Sequence, residues 1–102
     1  MKASTSVLSL GLLASTVMAI NMDVQQNGQW NLVTAQQGEC EDFDTGVTQV
    51  NLDPSSNNQR AFRCIFYQES ECQGSVTAVV ASNHPLSGVF SPIALSVICL
   101  NM

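Results

Sequence analysis

Beyond the first twenty residues, apolar and polar positions alternate along much of the chain, and β-branched runs recur. No apolar i, i+3, i+4 pattern holds for three turns there, so period two and β-branching decide the reading. The pattern predicts strands over residues 29–34, 46–52, 61–67, 75–81, 88–90 and 94–100. Turn chemistry separates them. Asp53-Pro54-Ser55-Ser56-Asn57-Asn58 and Ser82-Asn83-His84-Pro85 read as polar loops, with proline fixing φ and asparagine tolerating the left-handed region. Gly38 and Gly74 are expected at sharp turns. No low-complexity linker interrupts the series, so the chain reads as one all-β domain.

The opening segment has a different pattern. Met1-Lys2 supplies a short positive region, residues 7–17 (VLSLGLLASTV) form an apolar run, and Val17-Met18-Ala19 fits a small-residue cleavage site. This is the layout of a secretory signal peptide over residues 1–19, leaving a secreted domain at 20–102. A membrane anchor needs ~20 apolar residues, and polar Asn21, Asp23 and Gln25 come too soon. A lipid anchor is not expected either: the apolar stretch 93–100 is short and contains Cys99. No Asn-x-Ser/Thr sequon occurs.

Charge narrows the partners. The whole chain has net charge −5 and three basic residues. Without Lys2 the domain keeps only Arg60 and Arg63 against eight acids, a net −6. Two cations cannot track a phosphate backbone, so no nucleic-acid partner is expected. An acidic, lysine-free surface is also repelled by anionic lipid, so no membrane insertion is expected. Arg60 and Arg63 are expected to pair with surrounding acids at the surface.

Cys40, Cys64, Cys72 and Cys99 all fall in the domain. An even count in a short secreted chain reads as two disulfides. The spacings lack the paired C-x2-C knuckles of a zinc site. A domain of this size buries only ~60% of its chain surface, so its core is marginal and bridges at ~2–4 kcal/mol each matter. A weak internal repeat at an offset of 32 overlays Trp30 on Phe62, Leu32 on Cys64, Gln36 on Gln68 and Glu39-Cys40 on Glu71-Cys72. It suggests two similar β units. The parallel spacing leans to Cys40–Cys64 and Cys72–Cys99, with all three connectivities open.

Residues 64–74 (CIFYQESECQG) resemble the βγ-crystallin Greek-key signature, an aromatic, four residues, a second aromatic, one residue and Gly. Tyr67, Cys72 and Gly74 stand at those positions, and Ser96 lies near the family's hairpin-capping Ser. The resemblance implies that Tyr67 packs over a folded hairpin, that Gly74 supplies a special backbone conformation, and that Phe62 and Phe66 face a core between two sheets. Cys72 replaces the second aromatic, and in the first half Ala35 and Asp42 replace the Tyr and Gly. The family's calcium motif has no match at Asn57-Asn58 or Ser82-Asn83. The whole chain resembles the small four-cysteine secreted proteins of filamentous fungi, which implies secretion and a β-sandwich but no single activity.

The remaining motifs favour structure over chemistry. Asp44-Thr45-Gly46 matches the aspartic-protease triplet, but the preceding Cys40-Glu41-Asp42 is no apolar strand, and an acidic turn with a left-handed Gly46 is preferred. Glu39, Glu41, Asp42 and Asp44 read as a solvated face. Gly46 sits where a calcium loop needs an oxygen, and no Glu follows seven residues on. An acid/base pair for glycoside hydrolysis would need a cleft that a small sandwich rarely has. His84, the only histidine, reads as an exposed turn residue without a triad. Trp30 and Tyr67 are expected in the core, with partner contact as the alternative.

The expectation is an all-β, small disulfide-linked Greek-key β-sandwich, βγ-crystallin-like, with no catalytic group, cofactor or metal. It is secreted, monomeric and non-enzymatic, and acts by binding an extracellular protein or cell-wall component in the manner of an effector or toxin. A secreted protease inhibitor, using 52–60 or 82–88 as its loop, and a structural cell-wall or spore protein are the alternatives.

Overall fold

The structure is a computed structural model that describes residues 19–52 and 61–101. Most of the expected leader, the expected polar loop 53–58, Arg60 and nearly all of the candidate inhibitor loop 52–60 lie outside the described residues. Seven strands form two antiparallel sheets. They are β1 (Ala19–Gln26), β2 (Gln29–Gln36), β3 (Cys40–Val47), β4 (Gln49–Leu52), β5 (Phe62–Glu69), β6 (Gln73–Ala81) and β7 (Ala94–Asn101). One sheet has the order β2-β1-β4 and the other β3-β7-β5-β6. Together they make a small all-β, disulfide-linked sandwich.

Each sheet owes its shape to period-two alternation. In β1, Ile20, Met22 and Val24 are buried while Asn21, Asp23 and Gln25 face outward. In β5, Phe62, Cys64 and Phe66 point inward. The facing set of β4 and β7 adds Val50, Leu52, Val97 and Cys99. Phe66 lies at the centre, with its ring centroid 6.3 Å from Phe43 and 5.1 Å from Phe90. Offset and tilted ring pairs at these separations add to area burial.

The topology is a reciprocal exchange. β1 lies between β2 and β4, as β5 lies between β6 and β7. β3 leaves the first unit and pairs with β7 of the second. Segment 84–90 of the second unit returns along β4. Leu52 N–H donates to Pro85 O at 2.7 Å, Ser87 N–H to Val50 O at 3.0 Å, and Phe90 N–H to Thr48 O at 2.7 Å. Sequential units that each lend a segment to the other sheet form Greek-key connections.

Several expectations change. Segment 88–90 is not a strand. Pro85 has no N–H to donate, and Ser87 Oγ rather than a backbone oxygen accepts the Val50 N–H at 2.8 Å, so the ladder is irregular. Two strands were not expected at all: β1, whose alternation begins where the leader should end, and β3, which carries the acidic cluster. Gly46 belongs to β3 and not to a left-handed turn. Its hydrogen faces Ile93, whose Cδ1 occupies the place a Cβ would take. Gly38 and Gly74 do have positive φ, both 81°.

The disulfides join Cys40 to Cys72 and Cys64 to Cys99, not the pairs favoured by spacing. Cys64 and Cys99 are direct register partners on β5 and β7, so adjacency in the sheet decides the pairing. The offset-32 repeat also fails as a structural repeat. Trp30 lies on edge strand β2, whereas Phe62 lies on interior strand β5. Cys40 and Cys72, which it superposed, are instead bonded to each other.

Replacing Phe66 by Ala is expected to cost about 3–5 kcal/mol in urea unfolding, because it removes the ring shared by Phe43 and Phe90. Replacing Cys64 and Cys99 together by Ala is expected to cost about 2–5 kcal/mol. A fully reduced chain that still unfolds cooperatively at the native urea midpoint contradicts the second expectation.

Candidate functional site

The four residues of the Greek-key signature gather at one place, the β5–β6 hairpin. Its tip is a short 3-10 turn at Ser70–Cys72, with Glu71 and Cys72 in the left-handed region. Ser96, fully buried, accepts the Cys72 N–H at 2.9 Å and donates to Glu69 O. Tyr67, half-buried, is the register partner of both Ser96 and Val76. Gly74 is pressed on by Glu69, whose Cγ is 2.9 Å from the position a Cβ would take. The Asp42 carboxylate accepts the Glu71 N–H at 2.7 Å, and the Cys40–Cys72 bridge ties the tip to β3. These groups satisfy one another, so the hairpin is a structural lock.

The acidic triplet Asp44-Thr45-Gly46 is strand backbone. Thr45 O accepts the Gln26 side-chain amide at 2.8 Å, and Asp44 is exposed. Among the described residues no three His, Cys, Asp or Glu side chains converge as a metal site. His84 is exposed, and its N–H donates to Ala81 O at 2.9 Å within a turn.

A concave feature lies elsewhere. A cleft of about 370 Å³ opens between edge strand β6 and the segment after it. Val79 and Ala78 form one wall, Leu86 and Val89 the other, and buried Phe90 adds to its lining. His84 and Ser87 supply the polar rim. Leu86 and Val89 are 62% and 74% exposed, and polar groups share the lining with them. Comparison with protein-family models, curated proteins and solved structures gives no match. The cleft is therefore read from its own chemistry.

What holds it open is Ser87. Its Oγ accepts the Val50 N–H and donates to Val50 O at 3.1 Å. Gln49 Nε2 adds a bond to Ser87 O at 2.9 Å. On the other side Thr77 Oγ1 donates to Pro92 O. The segment is thus fixed at both ends while Leu86 and Val89 stand out from it. Sequence reasoning picked 82–88 as a presented loop but missed its partner wall on β6. The available signal was Val76 and Val79, two apolar residues that a one-sided strand would not carry outward.

Among the described residues no helix is long and apolar enough to cross a membrane.

Ser87→Ala leaves the buried Val50 N–H without an acceptor. It is expected to lower stability by about 1–3 kcal/mol, read as a reduced urea midpoint. An unchanged midpoint would mean that a backbone oxygen has taken over that bond.

Proposed function

We propose that the chain is a secreted, non-enzymatic binding protein that engages an extracellular partner through the β6 cleft, in an effector-like or toxin-like role. The observation that carries this reading is the pair of exposed apolar walls, Val79 against Leu86 and Val89, around a cleft already fixed by backbone bonds. A preformed cleft of mixed apolar and polar lining binds at a reduced ordering cost, and that favours recognition. Two disulfides in so small a domain support an oxidising, extracellular setting, as does the signal-peptide layout of the first residues. The exchange of β3 and segment 84–90 between sheets supports the βγ-crystallin-like resemblance.

One observation favours protease inhibition as a second reading. Leu86 projects from a segment bonded to β4 on both sides, which is the rigid presentation an inhibitor loop needs.

The test is capture from a host extracellular extract with the wild-type chain and with Val89→Asp. Retention of one partner at micromolar concentration, reduced tenfold or more by the substitution at an unchanged urea midpoint, supports the cleft. Equal retention by both proteins overturns it. Residual activity across metallo-, serine and cysteine proteases is measured alongside, and no inhibition at micromolar chain sinks the inhibitor reading.

A further inference from the structure

The outer face of the β2-β1-β4 sheet has a composition that neither the core nor the cleft explains. Register partners share a face. One row across the sheet is Trp30, Gln25 and Gln49, and the next is Leu32, Asp23 and Asn51. All six side chains point away from the core, because their neighbours Met22, Val24, Val50 and Leu52 are fully buried. Trp30 is 47% exposed and Leu32 is 71% exposed. Trp30 was expected in the core. It is outside because β2 turns Ala35 and Val33 inward instead.

We infer that this face binds a neutral, β-linked glycan, with Trp30 as the stacking platform. β-Linked pyranose rings carry axial C–H groups on flat faces, which pack on an indole, and equatorial hydroxyls around the rim. The rim chemistry on this face matches those hydroxyls. Gln25 and Asn51 each carry both donors and acceptors, Gln49 keeps its Oε1 as an acceptor while its Nε2 donates to Ser87 O, and Asp23 accepts from paired hydroxyls. Among the described residues no side-chain hydrogen bond is made by Asp23 or Asn51, so their polar atoms are available to a ligand. Gln25 makes only a long contact, to Thr48 Oγ1 at 3.4 Å.

Charge selects within the glycans. Among the described residues the face carries one carboxylate, Asp23, and no cation, so uronic acid, sulfate and phosphate groups meet repulsion there. Shape selects as well. Adjacent strands are ~4.8 Å apart, so three strands offer a shallow platform about 10 Å across, the span of roughly two sugar rings. A protein partner fits less well, because a protein hot spot is a packed apolar or Arg-rich centre. Here Trp30 and Leu32 are interleaved with amides and one carboxylate and form no packed centre.

The chain contains a single Trp, so its fluorescence reports this face alone. The mature, disulfide-bonded chain is titrated with hexasaccharides of β-1,4-glucose, β-1,3-glucose and β-1,4-N-acetylglucosamine, and with oligogalacturonate. Retention on the matching insoluble polymers is measured in parallel. A saturable Trp30 emission shift with at least one neutral sugar, and none with oligogalacturonate, is expected. Trp30→Ala should reduce retention on that polymer tenfold or more, and Asp23→Ala or Asn51→Ala several-fold. Val89→Asp, which belongs to the cleft, should leave retention unchanged, so failure of the cleft reading and failure of this one are distinguishable. Equal retention of wild type and Trp30→Ala, preference for the anionic sugar, or no emission shift with any neutral sugar overturns the proposal.

Discussion

Everything in this fold depends on burying two apolar sheet faces against each other, and no covalent bond does that. Both disulfides stay within the larger sheet: one joins β5 to β7, and the other pins the β5–β6 hairpin tip to β3. The smaller sheet, β2-β1-β4, is held to it by Ile20, Met22, Val24, Val50 and Leu52 packing on the aromatic cluster of Phe43, Phe66 and Phe90. The strand exchange is what makes this contact specific. Phe43 is carried into the larger sheet by a strand of the first unit, and Phe90 by a segment of the second that bonds to β4. Neither unit can complete its own sheet, so neither can bury its own apolar face. Cooperativity follows from that mutual dependence.

Where the ladders fail, side-chain oxygens take their place. Ser87 Oγ accepts a buried backbone N–H on β4. Ser96 Oγ and the Asp42 carboxylate accept the two N–H groups of the left-handed hairpin tip. An unpaired buried N–H costs about as much as a lost hydrogen bond, so at Val50 and Cys72 the irregular backbone depends on Ser87 and Ser96, while the exposed Asp42 bond adds to the same tip. The acidic cluster therefore has a structural member. Asp42 is held by the hairpin, while Asp44 on the same strand is solvated.

Alternation made the fold class legible, because an inward–outward period of two is a local property of the chain. Phe62, Cys64 and Phe66 show it plainly, and so do Ala94 to Leu100. It was equally present in Ile20, Met22 and Val24, but there the polar partners Asn21, Asp23 and Gln25 drew the reading toward the end of an apolar leader. β3 was hidden for another reason: its apolar positions, Phe43 and Val47, are four apart across a register irregularity. Cysteine pairing was not legible from spacing at all. It depends on which strands are neighbours and in what register, and Cys64 meets Cys99 only once β5 and β7 are paired. The outward Trp30 was missed on similar grounds, since an aromatic in a strand reads as core until its edge position is known.

The surface divides according to the same geometry. The larger sheet ends in edge strand β6, which exposes Val76 and Val79, and Val79 shares the cleft with Leu86 and Val89. The smaller sheet ends in β2, whose regular register lines Trp30 and Leu32 against amides and one carboxylate of β1 and β4. A large exposed side chain adds nothing to a core that is already filled, and in a domain this small it raises the risk of self-association. β2 and β6 lie in different sheets, but the two surfaces meet where Leu86 of the cleft bridges to Asn51 on β4, so Trp30 and Val89, away from that junction, are the positions that tell them apart.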